Sequence, residues 1–191
     1  MGKQNWKAGN MLYPVPVVMV SCKKKGADEK PNIVTLAWAG TICSDPVMLS
    51  VSVRPERYSH ELIEESGEFV VNLVNEGLVK ACDWCGVRSG RDFDKFAENG
   101  LSAYTSDYME TPAIAESPVN LYCKVRKTER LGSHDMYIAE VVGVTVDDRY
   151  MDAKGRFDLE AAKLVAYSHG AYHALGEKLG TFGYSVRKDG K

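Results

Sequence analysis

The sequence carries almost no net charge: 24 Lys and Arg against 26 Asp and Glu leave −2. That balance does not suggest a general nucleic-acid binder, which normally shows a concentrated basic face. The one basic run, Lys23-Lys24-Lys25, is followed by Gly26, Asp28 and Glu29 and reads as a solvated hairpin tip rather than a polyanion site. Long apolar runs are also missing, so no segment is suited to span a bilayer. The nearest thing to a secretory signal is Met11 to Cys22, preceded by Lys3 and Lys7. Pro14, Pro16 and the lack of a small-x-small cleavage site make a buried first strand the better reading. Trp6 stands where a myristoylated Met1-Gly2 start wants Ser or Thr. Cysteine is scarce and odd in number, at five, which argues against a closed disulfide framework and for a reduced, cytoplasmic protein.

The two commonest nucleotide devices are absent. There is no G-x-G-x-x-G after a strand and no G-x-x-x-x-G-K-[ST], which removes a Rossmann or P-loop phosphate site without excluding nucleotide binding by other means. No G-x-S-x-G elbow is present. Cys82-Asp83-Trp84-Cys85 is a C-x-x-C, which could serve as a redox dithiol or half of a zinc site. Zinc would need a second pair, and Cys22, Cys43 and Cys123 are scattered singly; both motif cysteines also fall on a helix's apolar stripe, which favours a core role. His169 and His173, four apart, would share a helix face, but Gly170 lies between them and no third ligand has matching spacing, so no metal is expected.

What is present reads as one mainly β domain across residues 1–191. A 45% hydrophobic content is enough to fill a single core, and no repeat or linker divides the chain. In Val47 to Arg54 the apolar residues hold the odd positions, with Ser50, Ser52 and Arg54 on the other face: period two, a half-buried strand. Phe69, Val71 and Leu73 repeat it around Asn72, and Leu121, Cys123 and Val125 do so opposite Tyr122, Lys124 and Arg126. Met136 to Val146 and Asn32 to Ala39 are further strands. Many strands with short connections predict a barrel or sandwich. Helices are few. Ser59 is the expected N-cap of one that ends at Gly67; a second runs from Glu76 to Cys85, capped by Asn75, ended by Gly86 and striped by Leu78, Ala81, Cys82 and Cys85. The tail from Leu159 to Leu179 is expected to be partly helical, weakened by Gly170 and Gly176.

Three segments hold more polar detail than packing requires: Asn32 to Gly40 around Trp38, Arg54 to Ser59 at a helix start, and Ser89 to Phe96 after a helix end. A phosphate monoester wants N–H donors, hydroxyls and cations in a small space; the Ser59 helix start, Arg57, Arg91 and Lys95 offer them if the fold unites them. A flat aromatic ligand wants an aromatic wall and close backbone, which Ala37-Trp38-Ala39-Gly40 offers. Taken singly, each segment is equally readable as ordinary turns, a cap and a core Trp.

These same segments resemble the flavin reductase-like family, its flavoredoxin branch in particular. The matching stretches are Pro14 to Val17, Asn32 to Trp38, Pro46 to Ser59, Phe69 to Leu73, and Cys85-Gly86 through Ser89-Gly90-Arg91 to Lys95-Phe96. Gly132-Ser133-His134 and Gly180 to Val186 continue them, so the likeness spans nearly the whole chain in order. The resemblance implies an FMN-binding split β-barrel with a few short peripheral helices, a homodimer with flavin near the subunit interface. By position it implies Asn32, Thr35, Ala37 and Trp38 along the isoalloxazine and ribityl chain, and Ser59 and Lys95 on the phosphate with Arg57, Ser89 and Arg91 nearby. His134 would approach the ring system and act in catalysis, and Tyr167 would be an aromatic neighbour of the flavin. Both also read as ordinary residues, His134 as a satisfied polar group at a strand start and Tyr167 as helix core. Three activities stay open: an NAD(P)H-dependent FMN reductase, an FMN electron carrier serving a redox partner protein, and a thiol or zinc protein organised by Cys82 and Cys85.

Overall fold

Period-two segments build the largest regular part of the molecule. The computed structural model describes residues 1–26 and 30–187. In chain order, β1 (Val15–Pro16), β2 (Val18–Cys22), β3 (Asn32–Leu36), β4 (Ala39–Ser44) and β5 (Val47–Val53) precede helix α1 (Tyr58–Ser66). Then come β6 (Glu68–Leu73), α2 (Val79–Val87), the short α3 (Lys95–Glu98), β7 (Ala103–Ser106) and β8 (Met109–Ile114). The long hairpin of β9 (Val119–Arg130) and β10 (Asp135–Val146) follows, and β11 (Val165–Ser168) with β12 (Ala171–Ala174) ends the chain's strands. Seven strands form one sheet in the order β3-β2-β6-β9-β10-β5-β4, every neighbour antiparallel. It curls into a half-barrel as β3 approaches β5. No helix among the described residues is long and apolar enough to cross a membrane.

The concave face is closed by α1. Val18, Val20, Val34, Val51, Val53, Phe69 and Val71 meet Leu62 and Ile63 of that helix in the main core. The other face of β2 and β3 is covered by α2 and α3, so that Met19 and Ile33 pack on Leu78, Cys82, Cys85 and Phe96. With cover on both sides, β2 is buried at every position, which is why alternation is hard to see in Val-Met-Val-Ser-Cys. The β7–β8 hairpin likewise covers β6 and β9, burying Val70 and Tyr122 beside Met109 and Ala113. The sequence puts Tyr122 on the polar face of β9, yet it is fully buried. Asn72 sits between these layers. Its Nδ2 donates to the Met19 carbonyl and its Oδ1 accepts from the Ile114 N–H, so a buried amide fixes β8 against the sheet.

Several local expectations change. Asn32 to Ala39 is not one strand: the chain bends at Ala37–Trp38 and returns as β4. Ser59 does not cap α1; Arg57 holds that place without a side-chain cap bond, and Ser59 lies in the first turn, buried. Gly67 ends the helix in the left-handed region at φ 71°, as expected. Asn75 caps a 3₁₀ turn over Glu76–Leu78 by accepting from Leu78 N–H, and α2 runs past Gly86 to Val87. Gly86 is needed for close approach rather than termination: a Cβ there would meet Thr35 Cβ at 3.2 Å. The tail has no α-helix between 159 and 179; β11 and β12 form a hairpin whose two-residue loop is His169-Gly170, at φ 47° and 83°. The loop geometry excludes the helical spacing that would have aligned His169 with His173. In the basic run, Lys23 is buried with Nζ on the Gly26 carbonyl and Lys24 pairs with Glu61 and Glu65, so the run is not simply solvated; Asp28 and Glu29 lie outside the described residues.

Candidate functional site

The loop after α2 returns across the start of β3, and this crossing makes a small polar cavity of about 140 Å³. Asn32 and Val34 of β3, Glu56 and Arg57 just before α1, Tyr58 and Ser59 of α1, Cys85 of α2, and Arg88, Ser89, Gly90 and Lys95 line it. Lys95 opens α3, and the side chain of Asp94 caps that turn through Ala97 N–H. Only 4% of Lys95 is exposed, and its Nζ donates to the carbonyls of Ile33 at 2.6 Å and Cys85 at 2.7 Å. An ammonium has three N–H donors, so one is left over. Burial pulls the Lys95 pKa below the ordinary lysine value. Asn32 Nδ2 donates to Ser59 Oγ at 2.8 Å, while Asn32 Oδ1 is buried with no partner among the described residues. Gly90 is forced by this crowding: a Cβ would stand 2.0 Å from Asn32 Oδ1.

Val34 and Arg57 also line a second, larger cavity of about 410 Å³, so the two adjoin. Its lining is Thr35, Ala37 and Trp38 at the β3–β4 bend, Ser52, Arg54 and His134 beside them, and Asp83, Gly86 and Val87 of α2 with Tyr167 and Tyr172 of the tail hairpin. Ser52 N–H donates to the Trp38 carbonyl at 2.9 Å, which pins the bend onto β5. Thr35 Oγ1 donates to the Cys82 carbonyl at 2.5 Å, tying β3 to α2. The aromatic wall is layered: Tyr13 lies 6.2 Å from Trp38 and 6.3 Å from Tyr167, and Tyr167 lies 5.8 Å from Tyr172 between ring centroids. Tyr172 donates its hydroxyl to Asp83 Oδ1 at 3.0 Å; burial, with that carboxylate, pushes its pKa up. His134 Nδ1 lies 2.9 Å from Ser133 Oγ, and its pKa is drawn below the usual histidine value by partial burial and then by Arg54.

The fold therefore gathers nearly all of the expected residues into one trough. Asn32, Ser59, Ser89 and Lys95 line its small end, Thr35, Ala37, Trp38, His134 and Tyr167 its large end, and Arg57 both. Arg91 stands apart: it donates to Glu61 at 3.0 Å, stacks 4.7 Å over the Tyr58 ring, and lines an adjoining cavity with Lys30 and Phe93. Arg54, Gly86, Arg88, Gly90 and Tyr172 are further lining residues. Arg54 and Gly90 lie inside the polar segments already singled out, whereas Tyr172 carries no local signal, since only the unforeseen tail hairpin brings it here. Cys82 and Cys85 are buried free thiols of α2, Cys85 also lining the small cavity, and burial pushes their pKa values up to about 12 and about 11. Thiols so disfavoured as thiolates make poor nucleophiles.

Comparison with known proteins bears on this arrangement. The flavin reductase like domain family matches residues 10–176. Flavoredoxin of Desulfovibrio vulgaris (Miyazaki F) superposes with a TM-score of 0.88 at 29% identity, over 97% of this chain and all of that one. Flavoredoxin from Methanosarcina acetivorans does so with a TM-score of 0.86 at 26% identity, over 98% of this chain and all of that one. An uncharacterized protein of Archaeoglobus fulgidus is 33% identical over 143 residues, 75% of this chain and 78% of that protein.

Proposed function

The chain belongs to the flavin reductase like domain family, and from that premise we propose that it is an FMN-dependent oxidoreductase. The observation that carries the reading is the buried Lys95, with one N–H to spare, in a small cavity that adjoins an aromatic-walled trough. The small end suits a terminal phosphate: Lys95 supplies the charge, Ser59 the hydroxyl, Arg57 and Arg88 flanking cations and Ser89–Gly90 close backbone. Arg91 acts from one cavity further out. The orphaned Asn32 Oδ1 is an acceptor that a ribityl hydroxyl satisfies. In the large end Trp38 and Tyr167 flank the isoalloxazine, Thr35 and Ala37 run along it, and His134 stands at its reacting edge with Arg54.

Bound FMN supplies hydride and single-electron redox chemistry, and the protein's part is to hold it and tune it. The Arg54 cation would favour the reduced, anionic ring. No dedicated dinucleotide fingerprint is written in the chain, so a nicotinamide donor has to stack directly at the open trough beside His134 and Trp38. We read NAD(P)H as the electron source. The likeness to flavoredoxins favours a second reading, in which the donor is a protein and FMN a tightly held carrier. We also read the chain as a homodimer, since Ile42, Val47, Val144 and Val146 leave apolar side chains exposed on β4, β5 and β10; light scattering tests this.

The test begins with FMN titration followed by absorbance, which should give a stoichiometric yellow complex. Anaerobic mixing with NADH and with NADPH should then bleach it. No uptake of FMN refutes the whole reading; uptake without bleaching by either nucleotide, alongside reduction by a protein donor, leaves only the carrier.

A further inference from the structure

We propose that Asp135 is a positioning residue: its buried carboxylate clamps the base of the β9–β10 turn against α1 and so holds His134 at the rim of the large cavity. What that rim does rests on the FMN reading above; how it is held does not.

His134 and Asp135 are consecutive at the start of β10, so their side chains leave opposite faces. His134 reaches the trough, while the Asp135 side chain is 4% exposed and faces α1. Its Oδ2 lies 2.7 Å from His60 Nε2 and is ion-paired with Arg130. Arg130 is its register partner across the hairpin and also donates to Glu64 Oε2 at 3.2 Å, one helical turn beyond His60. A closed set of four side chains, His60, Glu64, Arg130 and Asp135, thereby stitches both stems of the turn to one face of α1. Tyr137 walls the set, its ring 5.8 Å from His60.

The turn itself, Leu131 to His134, has little else to hold it. Leu131, Gly132 and Ser133 are exposed, Gly132 is in the left-handed region, and one backbone bond, Leu131 N–H to His134 carbonyl at 3.0 Å, closes it. Rigidity has to come from the stem. The stem is also tied to both ends of the trough. His60 follows Ser59, which is hydrogen-bonded to Asn32 in the small cavity. On the other side Asp135 is registered with Val53, and the next residue, Arg54, lines the large cavity beside His134.

The choice of residue supports a positioning role. Well-packed apolar groups in such a place commonly stabilise a fold as well as a buried ion pair does. The directional bonds of a carboxylate to an imidazole and a guanidinium add geometry, which packing alone supplies less sharply. His60 and Arg130 together hold the Asp135 carboxyl below the usual carboxylate range, so it stays charged while these bonds persist.

The variant is Asp135→Asn, with Arg130→Gln as a second one, because the Arg130 side chain is 63% exposed and its replacement leaves the core intact. The first measurement needs no flavin: the His134 ring C2 proton by NMR in the FMN-free protein. It should move towards the position and titration of an unrestrained histidine as the charges of Arg54 and Glu56 and the Ser133 contact cease to act on it. The second uses the FMN complex. Nicotinamide bleaching should slow by roughly tenfold to a hundredfold, the scale of a misplaced catalytic group, with FMN affinity unchanged. His134→Ala should add nothing on top of Asp135→Asn, since both remove the same placement. A folded variant whose His134 resonance matches wild type, or whose rate loss multiplies with that of His134→Ala, overturns the proposal. If Asp135→Asn does not fold, Arg130→Gln decides on the same readings. If wild type takes up no FMN, the functional reading falls and the resonance alone decides this one.

Discussion

Lys95→Ala separates a phosphate-reading lysine from a merely structural one, and the structure says what each part costs. The Nζ now serves the Ile33 and Cys85 carbonyls. Stranding two buried acceptors costs about 1–3 kcal/mol each, offset in part because an ammonium no longer has to be buried. A net loss of about 2 kcal/mol lowers Tm by roughly 4–8 °C in a chain of this size. The third N–H is free for an anion, and a charge-assisted bond there contributes about 1.5–3 kcal/mol, or roughly 12- to 150-fold in affinity. Riboflavin has the same ring and ribityl chain without the phosphate. Loosening of the cradle should touch both ligands alike, so the ratio of their dissociation constants isolates the phosphate contribution. Isothermal titration of wild type and Lys95→Ala with FMN and riboflavin should show the FMN preference collapse by that factor. Equal losses for both ligands would refute the reasoning and leave Lys95 as a brace between β3 and α2.

Because burial holds the Lys95 pKa below the ordinary lysine value, only the cation that persists at lower pH can pair with a phosphate. FMN affinity should therefore fall as pH rises towards that depressed pKa while riboflavin affinity stays flat, and Lys95→Ala should abolish the difference; parallel pH curves for the two ligands in wild type would contradict it. Gly90→Ala puts a Cβ 2.0 Å from Asn32 Oδ1, so Asn32 must leave Ser59. Calorimetry should find FMN and riboflavin both weakened about tenfold or more, for one lost hydrogen bond and a displaced wall, and wild-type binding would show that the loop yields freely. Cys82→Ser with Cys85→Ser should leave flavin content and bleaching rate intact and lower Tm, since hydroxyls replace buried thiols whose pKa values sit at about 12 and about 11. Loss of turnover in a folded, FMN-loaded double variant would restore a redox role to the pair.

How much the sequence determined by itself follows from how local each signal is. The period-two pattern of Val47–Val53 is set by one buried face, and it appears as β5 with Leu49, Val51 and Val53 inside. Gly67 and Asn75 act on their own backbone, so their helix boundaries were legible. The polar segments around Asn32, Ser59 and Lys95 stood out because polar residues there exceeded what turns require. Their convergence was not legible. Asn32 meets Ser59 and Gly90 only through pairing over long separations, and no local rule predicts which loops a curled sheet brings together. Where a second layer covers the sheet, alternation is lost, as in β2, or misassigns a face, as at Tyr122. Gly86 has the signature of a helix end, yet the reason for it is Thr35 on a strand fifty residues away in sequence terms. The tail reads as a weak helix because His169-Gly170 was weighed as a helix interruption; its positive φ values make it a hairpin loop, and pairing with β1 then sets Tyr167 and Tyr172 against the trough. Residue chemistry was local and could be read along the chain; the distances between residues were decided by sheet register and layering, and these exist only in the folded molecule.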